Sequence, residues 1–87
     1  MTSYNEEEDK LFKESYGYKA VGGNFNPSGK LAVEVIKTSI AELINDLDQT
    51  RSNATDPEVK RMCSVAITEL QAGQMWAVKA LTWDSNT

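Results

Sequence analysis

Apolar positions along this chain fall into two long stretches of helical spacing and one short one, separated by polar or glycine-rich breaks. The longest runs from Asp56 to Trp83 with no proline after Pro57. Asp56 can accept bonds from free backbone N–H groups and Pro57 suits the first helical position, so one helix is predicted over about 56–83. At ~1.5 Å per residue it is roughly 40 Å long. Val59, Cys63, Ala66, Leu70, Gly73, Ala77 and Ala80 recur at alternating steps of four and three, and so share one face. That face is mostly small and would let another backbone come close. Gly73 costs about 1 kcal/mol relative to Ala inside a helix, which predicts a crowded contact there. Met62, Val65 and Trp76 flank the face on one side, and Ile67, Val78 and Leu81 on the other. A helix apolar nearly all round needs more cover than a short chain can give.

The second stretch, predicted as a helix over about 30–50, carries Val33, Ile36, Ile40, Leu43 and Leu47 in a heptad-like seam flanked by Leu31, Val35 and Ile44. Asn26 is its candidate N-cap, with Pro27 in the first turn. The large seam complements the small face of the last helix. The two should pack antiparallel as a hairpin, joined through residues 50–55. A short helix is predicted over about 4–14, with acids in its first turn and Leu11 and Phe12 free to dock. The expected fold is therefore all-α: one helical-hairpin domain over 1–87 with a short N-terminal helix, assembling into a compact homo-oligomer.

Between them, residues 15–29 hold four of the five glycines and one of the two prolines, so this stretch should turn rather than run as an element. Tyr16, Tyr18 and Phe25 either pin such a loop to the core or, with Lys19 beside them, receive a nucleobase and its phosphate. Spacing alone favours pinning. The Gly-Lys-Ser/Thr signature of a P-loop is absent. Lys37, at the edge of the apolar seam, is ordinarily a solvated side chain; it gains interest only if Tyr18 folds back alongside it. Lys60 and Arg61 are cations in the first turns of the last helix, where the helix dipole favours acids.

Composition narrows the chemistry. The 87 residues bound a single domain with a marginal core. Thirteen acidic residues against nine basic ones give net −4, which argues against a broad DNA or RNA surface while leaving room for a small phosphate-bearing ligand. The chain has no His, the commonest general base and metal ligand, and no cysteine pair, so neither a metal site nor a hydrolytic triad is expected. Its acidic pairs, such as Asp46 and Asp48, give no sign of a cleft. No catalytic residue, no cofactor and no enzyme activity are expected. Cys63 reads as a small buried hydrophobe in a reducing compartment rather than as a reactive thiol. With no signal peptide or transmembrane run, no membrane role is expected and the cytoplasm is the expected location.

The residues from Arg61 to Leu81, with Thr68-Glu69-Leu70-Gln71 and Met75-Trp76-Ala77-Val78-Lys79-Ala80 inside them, resemble the C-terminal helix of the phage anti-CBASS cyclic-oligonucleotide sponges. That family shares its helical hairpin with relatives that counter Thoeris signalling. Gly17-Tyr18-Lys19-Ala20-Val21 resembles the family's Gly-Tyr-Arg-x-Leu opening, and Val35-Ile36-Lys37 its Ile-Lys step. The resemblance covers about residues 15–83 and is closest to the member from T4-like phages. It implies a homohexamer in the host cytoplasm that holds cyclic dinucleotides such as 3′,3′-cGAMP between subunits without cleaving them, so that the CBASS effector is not activated. Tyr18 would stack on a base and Lys37 would neutralise phosphate, with Lys19 and Tyr16 nearby. Ser39 and Arg61 are the nearest matches to a second site for cyclic trinucleotides. Residues 22–29 stand as an insertion where relatives have a shorter cap. The competing expectation, from a different class, is a helical interaction module that inhibits or scaffolds a host protein through Met75, Trp76 and Trp83.

Overall fold

In a computed structural model the described residues, 5–85, form four helices and no strand: α1 (Glu6–Lys13), α2 (Tyr16–Ala20), α3 (Leu31–Asn53) and α4 (Pro57–Leu81). Tyr4, where the sequence places the start of the first helix, and the tail residues Asn86 and Thr87 lie outside them. α3 and α4 pack as the expected hairpin. Their connection is shorter than predicted, because α3 stays helical through Asn53 and only Ala54 and Thr55 precede the Asp56 cap. Asp56 accepts from the Glu58 N–H at 2.9 Å, with Pro57 in the first turn. At the opposite end Lys30 Nζ donates to the Leu81 carbonyl at 2.9 Å, tying the start of α3 to the last turn of α4.

Residues 15–29 do not simply turn. Ser15 caps α2 by accepting from the Tyr18 N–H at 3.3 Å. Gly22, at φ +62°, ends it: the Gly22 N–H donates to the Lys19 carbonyl at 3.0 Å and the Gly23 N–H to the Tyr18 carbonyl at 2.9 Å. This is the paired C-terminal closure that a left-handed glycine permits. α3 starts later than its proline suggests. Gly29 is left-handed at φ +66° and cannot be helical, so Lys30 takes the cap position without a side-chain bond. Asn26 instead donates from Nδ2 to the Lys30 carbonyl at 3.1 Å, bracing the turn before the helix.

The core lies where α2 crosses the hairpin. Val21, Ala41, Ile44 and Ile67 are buried together, with Phe12, Ala20, Ile40, Leu47 and Leu70 packed around them. Each large aliphatic buried there contributes roughly 1.5–3 kcal/mol. On α3 the inward line is Val33, Lys37, Ala41 and Ile44, one position round from the predicted seam, and Leu43 is 51% exposed. The reason is Ala41. α2 approaches so closely that a Cβ on Gly17 would lie 2.1 Å from the Ala41 carbonyl oxygen, and only a small residue fits beneath. On α4 the inward line is Cys63, Ile67 and Gln74, so past Cys63 it lies one position round from the predicted small face; Gly73 and Ala80 are exposed, and a Cβ on Gly73 would meet open space. The crowded contact predicted for Gly73 does not occur within the chain.

Trp76 and Trp83 are 69% and 66% exposed, and Met62, Val65, Met75, Leu31 and Val35 are also exposed. The accessible surface is 6502 Å², against roughly 5,100 Å² for a compact monomer of this mass. The radius of gyration is 14.8 Å, against about 12 Å for a compact 87-residue domain. Among the described residues no helix is long and apolar enough to cross a membrane.

Candidate functional site

α2 sets Tyr18 on the same cleft as Lys37. Two side chains from the hairpin hold α2 in place. Asn45 Oδ1 accepts from the Gly17 N–H at 2.7 Å while its Nδ2 donates to Ser15 Oγ at 3.0 Å, and Gln71 Nε2 donates to the Ala20 carbonyl at 3.0 Å. With its backbone fixed so, Tyr18 packs edge-to-face on Phe12, ring centroids 5.5 Å apart, and its hydroxyl donates to Asn24 Oδ1 at 3.1 Å. The ring borders a cleft of about 340 Å³ whose other walls include Asp9, Lys13, Asn26, Glu34 and Lys37.

Lys37 is not the solvated edge residue that spacing suggests: it is only 6% exposed. Its ammonium donates to the carbonyls of Gly22, at 3.0 Å, and Phe25, and lies 5.6 Å from the centre of the Phe25 ring. These acceptors are dipoles without net charge. Burial therefore holds the Lys37 ammonium below the ordinary lysine value. Two of the three N–H donors are taken by these carbonyls, and Lys37 lines the same cleft as Tyr18. An aromatic ring and a desolvated cation on one cleft can stack a base and bind phosphate.

The other sequence-predicted residues are dispersed. Lys19 is exposed beside a shallow depression shared with Tyr18 and the 22–25 turn. Tyr16 is not in the cleft. It lies under Arg51, whose guanidinium is 5.5 Å from the ring centre while donating to Asp48 at 2.8 Å and Ser64 at 3.0 Å. Asp48 first and Tyr16 second raise the Arg51 pKa. Ser39 is exposed on the outer side of α3 near Leu31 and Val35. Arg61 pairs with Glu58 on α4, lowering the pKa of that carboxyl by hydrogen bonding. Ser39 borders a depression lined by α3 residues, and Arg61 is bonded to Glu58 of its own helix, α4. Sequence reasoning missed Asn45, Gln71, Gly23 and Asn24. The bracketing of residues 16–21 by a Ser and a Gly is the one signal that could have revealed α2.

The geometry thus defines a small all-helical hairpin whose short crossing helix sets an aromatic ring on the same cleft as a buried cation. Residues 18–82 match the family model described as Acb2/Tad1, hairpin domain. The chain belongs to this family of anti-CBASS and anti-Thoeris sponges, which is known for sequestering cyclic oligonucleotides. No curated protein and no solved structure matches the chain.

Proposed function

We propose that this protein sequesters cyclic dinucleotides, 3′,3′-cGAMP among them, in the cytoplasm of a phage-infected host, holding the signal uncleaved so that the CBASS effector stays inactive. The observation that carries this reading is Tyr18 and the buried Lys37 ammonium on one cleft. Sequestration asks for affinity without bond breaking: stacking worth roughly 1–3 kcal/mol per base, plus charge-assisted bonds to phosphate.

The same cleft argues for a site completed by a second copy. Its formal charges, Lys13 and Lys37 against Asp9 and Glu34, sum to zero, whereas the ligand is a dianion. Its 340 Å³ is at the small end of ligand pockets, which run from about 300 to 1,000 Å³. The surplus surface and the outward apolar residues of α4 support self-association, and a homohexamer is the state we propose. Ser39 and Arg61, apart in one chain, would form the trinucleotide site only across two.

Calorimetry of the intact protein against 3′,3′-cGAMP tests this, with the nucleotide recovered intact after denaturation. Tyr18→Ala and Lys37→Ala should each abolish measurable binding while the chain stays helical. A folded Tyr18→Ala protein that bound normally would refute the site. One observation favours a second reading: the exposed Met75, Trp76 and Trp83 also suit a protein partner. That reading calls for a defined host protein in pull-downs, a smaller oligomer and no nucleotide affinity.

A further inference from the structure

Four consecutive residues after α2 touch both members of the site. At Gly23 a Cβ would lie 2.2, 2.4 and 2.4 Å from Cε2, Cδ2 and Cζ of Tyr18. The near-equality of these distances puts that point above the ring face rather than at its edge. Gly23 therefore sits over one side of the ring, leaving at most the opposite side to a base. Asn24 Oδ1 accepts from the Tyr18 hydroxyl at 3.1 Å and fixes the ring's far end. Gly22 and Phe25 supply the carbonyls that hold the Lys37 ammonium, and the Phe25 N–H closes the turn by donating to the Gly22 carbonyl at 2.8 Å.

We propose that the Gly22–Phe25 turn is the positioning element of the nucleotide site, with Gly23 and Asn24 setting the plane of Tyr18 and the carbonyls of Gly22 and Phe25 aiming Lys37. The inference rests on the sequestration reading above and adds to it the residues that determine affinity without being the stacking ring or the phosphate-binding cation. A ring held in one plane before the ligand arrives loses less side-chain freedom on binding, and so binds more tightly for the same contact. Gly23 is selected by space. Its φ is not left-handed, and what excludes a side chain is the ring beneath it.

The test is a double-mutant cycle by calorimetry on the full chain, with 3′,3′-cGAMP as the probe. Asn24→Ala and Tyr18→Phe each remove one end of the same neutral hydrogen bond and should each weaken binding about three- to tenfold. The double variant should be no weaker than either single one, a non-additivity that a merely structural role for Asn24 would not produce. Gly23→Ala should weaken binding more than tenfold while the chain stays helical, because the ring must tilt to clear the new methyl; binding within threefold of the wild type would overturn the role given to Gly23. The proposal is overturned if Asn24→Ala binds like the wild type, or if it weakens the Tyr18→Phe protein by the same factor as the wild type. Absence of heat with the wild-type protein overturns the sequestration reading itself and this inference with it.

Discussion

One substitution made at two glycines should move stability in opposite directions. At Gly17 an Ala methyl would sit 2.1 Å from the Ala41 carbonyl oxygen, 2.9 Å from its carbonyl carbon and 2.7 Å from Asn45 Oδ1. Two of these three atoms are α3 backbone, so no rotamer change relieves the clash and α2 must lift away. Overpacking of this kind costs about 1–3 kcal/mol. Lifting also strains the 2.7 Å Gly17–Asn45 bond, and losing it adds about 0.5–1.5 kcal/mol. The sum is roughly 2–4 kcal/mol, which for a domain of this size lowers the thermal midpoint by roughly 10–25 °C. At Gly73 the same methyl enters open space on an exposed helix face, where Ala is favoured by about 1 kcal/mol. The assay is thermal and urea unfolding of Gly17→Ala and Gly73→Ala at several protein concentrations, since assembly also shifts the midpoint. Gly17→Ala should fall at every concentration. Gly73→Ala should rise by a few degrees in dilute protein and, if copies meet on that face, lose its gain as concentration increases. A Gly17→Ala midpoint within a degree or two of the wild type would refute the close crossing of α2 over Ala41.

Lys37 gives a pH signature. Its folded-state value lies below the ordinary 10.5, so between the two the unfolded chain holds the extra proton and stability rises with pH, a slope that Lys37→Met should lack in urea titrations. On the sequestration reading a dianion favours the ammonium form, so affinity for 3′,3′-cGAMP should fall as pH climbs through that lowered value, and a flat calorimetric profile would count against the contact. Asn45→Ala leaves the Gly17 N–H without its 2.7 Å acceptor and should cost about 1–3 kcal/mol in urea unfolding; on the sequestration reading it should also weaken nucleotide affinity through displaced α2. Trp76→Ser removes a ring already mostly in solvent, so the lone chain should keep its helicity while light scattering reports a smaller particle. An unchanged mass would count against association through this face of α4.

The long-range plan was legible because strong signals agreed. Two extended helical periods, a Pro57 start capped by Asp56 and a polar break read at 50–55 leave little besides a hairpin. The rotation of each helix was not legible. The predicted seam on α3 assumed that its largest residues point inward, whereas crossing by α2 makes Ala41 the central position and turns Leu43 out. That contact depends on Gly17, 24 positions earlier, and periodicity carries no such information. The same limit hid the burial of Lys37. A lysine among apolar neighbours reads as a surface residue until the turn that supplies its carbonyls is in place. Tyr18 and Lys37 could be singled out by family resemblance, but nothing short of the three-dimensional arrangement brings them to one cleft while sending Tyr16 to Arg51.

Lys37 rests on neutral carbonyls, and its burial is not offset by an ion pair among the described residues. On the sequestration reading the captured messenger acts as a mortar for the fold: each molecule taken up makes its holder harder to unravel and slower to be proteolysed. A trap that destroys nothing works one for one, so its capacity is fixed by how many loaded particles survive. On that reading the buried lysine would tie survival to the cargo itself.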